Sequence, residues 1–234
     1  MDVNPIVHIA HLIGEAGRIR MLTELLDGGE HSASRLATAA DVSRQTASSH
    51  LAKLREAGLI VAERQGRQRL FRLRDRDVAA AIEALAALAQ PSGKRAMPEI
   101  RFARTCFDHL AGVLAIAVRD ELSRIGAVRE QAGGGFTVTP AGKRVLSEFD
   151  IDADALEKLR RGFANKCLDW TERHHHIGGA VGAALLDGFL RRKWLARIRG
   201  ARALSVTNAG ERGFEQVFNI RCARLRAQAA QPSK

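Results

Sequence analysis

The stretch from Asp41 to Arg74, DVSRQTASSHLAKLREAGLIVAERQGRQRLFRLR, decides the fold. Its first half predicts a helix. Ser43 is a suitable N-cap, because its hydroxyl can accept from an orphan N–H of the first turn. Ala47, Leu51 and Leu54 then recur at helical spacing and make a narrow buried stripe. Gly58 stops the helix, since glycine tolerates the left-handed conformation that a helix end requires. The second half predicts a β-hairpin. Ile60 to Arg64 and Arg69 to Arg74 are two extended runs, joined through Gln65-Gly66-Arg67-Gln68.

Arg44, Gln45, Ser48, Ser49 and Lys53 lie off the apolar stripe. They are donors and acceptors able to reach base edges or phosphates in a major groove that admits one helix. The hairpin tip adds Arg64, Arg67 and Arg69. From 43 to 76 there are nine Lys and Arg against three acids, a surplus of six positive charges. Residues 1–42 carry three Arg against six acids. Positive charge therefore begins where a groove-reading surface should begin.

Working outward, the N-terminal side predicts a helix over 6–13 and a second over Glu15 to Leu26, ended by Asp27-Gly28-Gly29. Ser32 caps a short helix with Leu36, Ala37 and Ala40 inward. After the hairpin, Asp77 to Ala89 is an Ala-rich helix with a flat, small-residue surface suited to close helix packing. The order helix, turn, helix, basic hairpin marks residues 6–90 as similar to the winged helix-turn-helix of the ArsR-type bacterial regulators. The resemblance is carried by IAHLIGEAGRIRMLTELL (9–26), SASRLATAADVSRQTASSHLAKLREAGLI (32–60) and VAERQGRQRLFRLR (61–74). It implies a homodimer, seamed by the first and last helices of this domain, that binds a palindromic double-stranded DNA operator, usually represses, and responds to an effector. One departure matters: the family's arsenic and cadmium sensors carry paired cysteines in the first helix of the helix-turn-helix, and Ser34 to Ala40 has none. The resemblance thus supports DNA binding and gives no support to arsenic sensing.

The DNA contacts expected are Ser43, Arg44, Gln45, Thr46, Ser48, Ser49, His50, Lys53, Arg64, Arg67 and Arg69. Arg44, Gln45, Ser48 and Ser49 are the base readers, because the N-terminal part of a recognition helix points into the groove. Ser43, Lys53, Arg64, Arg67 and Arg69 suit phosphates.

Beyond residue 90 the chain divides into a linker, 91–99, a second domain, 100–227, and a flexible tail, 228–234. The 234 residues suit two domains of about a hundred each. The second domain reads as a duplication. His109 to Asp120 aligns with His176 to Asp187, Phe136 to Arg144 with Leu204 to Arg212, and Phe149-Asp-Ile151 with Phe218-Asn-Ile220. Cys106-Phe-Asp108 echoes Cys167-Leu-Asp169, with Trp170 to His175 as an insertion. Each copy reads as helix, short hairpin, helix, like the second half of a winged helix. The expected fold class is mainly α with short β-hairpins (α+β): an N-terminal winged helix-turn-helix followed by two winged-helix-like repeats. Gly112, Gly178, Gly179 and Gly182 would let the two central helices of the repeats approach closely.

Cys106, Asp108 and His109, with Cys167, Asp169, Trp170 and His176, are the candidate effector residues. Four readings stand open for them. They are a transition-metal site, since Cys, His and Asp are common ligands; a thiol pair that oxidises; the wall of a site for a small organic effector beside Trp170; or core thiols with the aspartates as helix N-caps. Catalysis by Cys with His and Asp is disfavoured. Neither Cys sits in a strained turn or Gly-rich elbow, and one active site needs no second copy of its nucleophile.

The net charge of +11 favours an anionic partner. DNA suits it better than a membrane surface, which would want large apolar anchors in a basic amphipathic helix. The longest apolar runs fall far short of the roughly 20 residues that span a bilayer. MDVNPIVHIAHL does not read as a signal peptide, and three scattered cysteines outside CxxC spacing fit reduced thiols. The expected location is the cytoplasm. The expected function is sequence-specific transcriptional regulation, a homodimeric repressor with an effector-sensing second domain. The alternative is an architectural basic DNA-binding protein without an effector.

Overall fold

The computed structural model describes residues 4–66, 68–88, 98–132, 134–198 and 201–231. The chain forms two compact units, Met1–Ile82 and Glu83–Lys234. The division falls inside a helix, eight residues before the expected boundary at 90.

In the first unit, α1 (Asn4–Ile13) and α2 (Ala16–Glu24) lead into a 3-10 turn (Leu25–Asp27) closed by Gly28 at φ +74°. Glu15 caps α2 by accepting from the N–H groups of Gly17 and Arg18. Next come β1 (His31–Ser32), α3 (Ala33–Ala40), α4 (Arg44–Glu56), β2 (Ile60–Gln65), β3 (Gln68–Leu73) and α5 (Arg76–Leu88). Ser43 caps α4 by accepting from Thr46 N–H at 3.1 Å. The predicted stripe is buried, with Ala47 and Leu54 fully covered and Leu51 2 % exposed. α4 packs on α2 and α3, where Met21, Leu22 and Leu36 are fully buried. The three-stranded sheet has the order β1-β3-β2. The hairpin pairs as expected but one residue further toward its tip, to Gln65 opposite Gln68.

The second unit runs in two passes. The first is β4 (Arg104–Cys106), β5 (His109–Ala111), α7 (Val113–Arg124), β6 (Val128–Glu130), β7 (Phe136–Val138) and α8 (Pro140–Ser147). The second is β8 (Lys166–Leu168), β9 (His175–Ile177), α10 (Gly179–Arg191), β10 (Leu195–Arg197), β11 (Leu204–Val206) and α11 (Asn208–Phe218). Short helices complete it: α6 (Pro98–Phe102), α9 (Ala153–Glu157) and α12 (Cys222–Ala230). Both passes read hairpin, helix, hairpin, helix, so the expectation of helix, hairpin, helix missed a hairpin at the head of each. Matched details recur. Thr139 and Thr207 cap α8 and α11. Asp150 and Asn219 both take positive φ after them, and Phe149 and Phe218 stack at 5.9 Å. With Phe189, Trp194 and Phe214 these rings fill the core.

The packing is crosswise: α7 lies on β9 of the other pass, and α10 lies on β5. This corrects the role expected for Gly112 and Gly179. A Cβ at Gly112 would meet the carbonyls of Arg101 and Phe102 at 2.6 and 2.8 Å, and one at Gly179 those of Phe163 and Gly162 at 2.6 and 2.7 Å. They admit the preceding backbone, not a facing helix.

Two termini are also corrected. The expected linker 91–99 has its last two residues in α6, and 91–97 lie outside the described residues. The expected tail from 228 is helical to Ala230, because Arg101 of α6 donates to the carbonyls of Ala229 and Gln231 and ties that end down. Among the described residues no helix is long and apolar enough to cross a membrane.

Candidate functional site

On the first unit, Ser43, Arg44, Gln45, Thr46, Ser48, Ser49 and Lys53 are all exposed on α4, and Arg64 and Arg69 are exposed on the wing. Among the described residues, no hydrogen bond or ion pair engages the side chains of Arg44, Gln45, Lys53, Arg64 or Arg69. Arg67 lies outside the described residues. Arg64 and Arg69 are direct cross-strand partners, and like charges placed opposite each other are destabilising. A cleft of about 340 Å³ separates helix from wing. Ser48, Arg55, Arg64, Gln68 and Arg69 line it over Leu51 and Phe71.

Not every arginine is free. Arg72 donates to Glu63 at 2.8 Å, and Arg74 to Asp75 at 2.6 Å. His50 is corrected as a DNA contact. Its side chain is 12 % exposed, with Nε2 3.3 Å from the Glu15 carboxylate, so it docks α4 on the cap of α2. Ser43 holds its expected place but spends its hydroxyl on the cap. Beside the wing strand β3, Asp27 accepts from His31 at 2.8 Å. Burial pushes the Asp27 carboxyl up, but His31, the Gly29 N–H and Arg35 outweigh that and hold it below its ordinary value.

In the second unit six of the seven expected effector residues converge on two hairpins. Cys106 is the cross-strand partner of His109 in β4–β5. Cys167 is the partner of His176 in β8–β9. Crosswise packing brings the hairpins together. The Cys106 and Cys167 sulfurs are 3.7 Å apart, and the Nε2 atoms of His109 and His176 are 3.1 Å apart. Cys106, His109 and His176 are buried, and Cys167 is partly so.

The aspartates do not cap helices, since Gly112 and Gly178 hold those positions. They back the histidines instead. Asp108 lies 3.2 Å from His109 Nδ1 and accepts from Arg161 at 2.7 Å. Asp169 lies 3.6 Å from His176 Nδ1 and pairs with the fully buried Arg104 at 3.0 Å. Asp169 also accepts from Gly112 N–H and from Thr171. Burial raises its pKa, but Arg104, His176 and these donors together hold it far below the usual carboxylate range. The neighbouring Cys167 sulfur and burial push the Cys106 thiol up to about 12. Trp170 stands apart from the cluster, its ring under the Arg104 guanidinium at 4.9 Å. His174 and His175 are exposed.

Sequence reasoning missed Arg104 and Arg161, the cations that fix the two aspartates. A signal was present in each: an arginine two residues before Cys106, and another six residues before Cys167.

A family model described as a helix-turn-helix domain matches residues 17–63. The uncharacterized HTH-type transcriptional regulator YdfF of Bacillus subtilis (strain 168) is 39% identical over 226 residues, covering 94% of this chain and all of that protein. Among solved structures, the homodimeric winged helix-turn-helix DNA-binding domain Mb0332 of Mycobacterium bovis, called a possible ArsR-family regulator, is 26% identical. It covers 41% of this chain and 90% of that one, with a TM-score of 0.34. Reduced HlyU from Vibrio cholerae N16961 is 29% identical over 37% of this chain and 90% of that one, with a TM-score of 0.34.

Proposed function

The chain belongs to the HTH-type transcriptional regulators, and from that premise we propose that it is a homodimeric repressor that reads a palindromic operator. α4 enters the major groove, and the wing tracks the flanking backbone or minor groove. Arg44, Gln45, Ser48 and Ser49 read base edges; Lys53, Arg64, Arg67 and Arg69 hold phosphates. The observation that carries this reading is the Arg64–Arg69 pair. Two unneutralised arginines face each other across the wing, beside a recognition helix on which Arg44, Gln45 and Lys53 are uncommitted. A polyanion is the partner that relieves both.

The dimer rests on exposed apolar side chains. Ile6 and Val7 on α1 are 52 % and 61 % exposed. A second copy would cover them, as the sequence resemblance implies. The second unit is the effector-responsive half, and its response alters affinity for the operator.

Footprinting on the DNA upstream of the protein's own coding sequence tests this. The reading expects two protected half-sites whose centres are about one helical turn, 10–10.5 base pairs, apart. A single asymmetric half-site would exclude the dimeric operator complex.

A further inference from the structure

The ligand-capable atoms of Cys106, His109, Cys167 and His176 all lie within 4.8 Å of one another. We infer that these four side chains bind one zinc ion, a closed Cys2His2 site that clasps the two hairpins of the second unit. The inference is independent of how the first unit reads DNA.

The sulfur–sulfur and nitrogen–nitrogen distances suit the ion. Tetrahedral zinc with Zn–S near 2.3 Å and Zn–N near 2.0 Å has S···S and N···N edges of about 3.8 and about 3.3 Å. The sulfurs here are 3.7 Å apart and the Nε2 atoms 3.1 Å apart. Each hairpin supplies one Cys and one His as cross-strand partners, so the ligands sit on paired backbone and not on loose loops.

The setting of the histidines points the same way. His109 Nδ1 is 3.2 Å from Asp108, whereas His176 Nδ1 is 3.6 Å from Asp169 and buried without a hydrogen-bond partner among the described residues. The two Nε2 atoms face each other at 3.1 Å in a buried site, where a single cation can take a lone pair from each. At His109, carboxylate, imidazole and metal in line is the arrangement that fixes the tautomer and orientation of a ligating histidine. Charge also balances. Zn²⁺ takes two thiolates and two neutral imidazoles, the two thiol protons leave to solvent, and no electrons move. The centre is then neutral, as a buried site with His176 fully covered requires. All four positions come from protein, so the site is structural and leaves no open position for a substrate.

Metal analysis of the full-length protein, purified in reducing buffer without chelator, should give one zinc per chain. Cys222→Ser should leave that value unchanged, while Cys167→Ser and His176→Gln should reduce it to less than a tenth. Asp108→Asn should weaken zinc binding about 10- to 100-fold without abolishing it. Should a ligand variant fail to fold, the wild-type protein still decides. Cobalt exchanged into it should show the intense visible bands of a tetrahedral centre with thiolate charge transfer. Cys106 and Cys167 should resist alkylation until a chelator is added. An octahedral cobalt spectrum, a metal-free folded protein with Cys106 and Cys167 joined as a disulfide, or alkylation indifferent to chelator would each overturn the inference.

Discussion

Arg64 stands directly across the wing from Arg69, with no acid between them. The pair costs stability in the free protein and gains it back only against negative charge. Arg69→Ala should therefore leave the fold intact or slightly firmer, by about 0.2–1 kcal/mol. It should lower the salt slope of DNA binding by about one unit and weaken all sequences alike. Chemical denaturation and salt-titrated binding of this variant check both halves; a changed preference at one base pair would make Arg69 a base reader instead.

Gln45 presents the opposite case. It lies in the first turn of α4, exposed and uncommitted. Gln45→Ala should relax preference at one base pair of each half-site, a loss of about 1–3 kcal/mol of discrimination. The salt slope should stay the same. Binding to a panel of single-base operator variants reads this directly.

How much of this was visible in the sequence varies with the length of the element. α4 carries enough turns for the Ala47, Leu51, Leu54 period to show, and the wing enough residues around Gly66 to read as a hairpin. β1 is two residues long, too short for any alternation. The hairpins that hold Cys106 and Cys167 have three-residue strands. In the second one the loop between Leu168 and His175 separates Cys167 from its partner His176 so widely that it read as an insertion before a helix. The repeated Cys-x-Asp was legible; that each Cys pairs with a His across a strand was not. The tie from Arg101 to the end of α12 spans 130 residues and leaves no local trace, so that end read as a tail. His50 shows the converse: its polarity suggested a DNA contact, and only the placement of Glu15 reveals its role in docking.

Asp27 and His31 give a pH prediction. The Asp27 carboxyl is held below its ordinary 3.8 in the folded chain. Its contribution is therefore present in full above the unfolded value and is lost as pH falls through the folded one. Asp27→Asn should cost about 1–3 kcal/mol at neutral pH, the penalty for disrupting a buried hydrogen-bonded pair. The gap between variant and wild type should narrow below pH 4. Urea titrations at pH 7 and pH 3 would show it, and a gap that widened in acid would reverse the sign.

Gly142 and Gly210 occupy matched places after the caps of α8 and α11. A Cβ at Gly142 would lie 2.1 Å from the Ala127 carbonyl, and one at Gly210 2.1 Å from that of Trp194. Backbone must shift in either case. Gly142→Ala and Gly210→Ala should each destabilise the second unit by about 1–3 kcal/mol or more. Thermal unfolding followed at Trp194 would report it, and an unchanged transition would mean that the caps have more room than these distances allow.

The central claim is that the first unit reads a specific DNA sequence through α4 and the wing. Fluorescence anisotropy of the full-length protein on its own upstream DNA and on a scrambled duplex of equal length, across a salt series, tests it most directly. The account predicts a preference of about 10³-fold or more for the upstream DNA near physiological salt, with a steep salt slope on both duplexes. Equal affinity for the two duplexes at every salt concentration would contradict it and leave a basic architectural protein in its place.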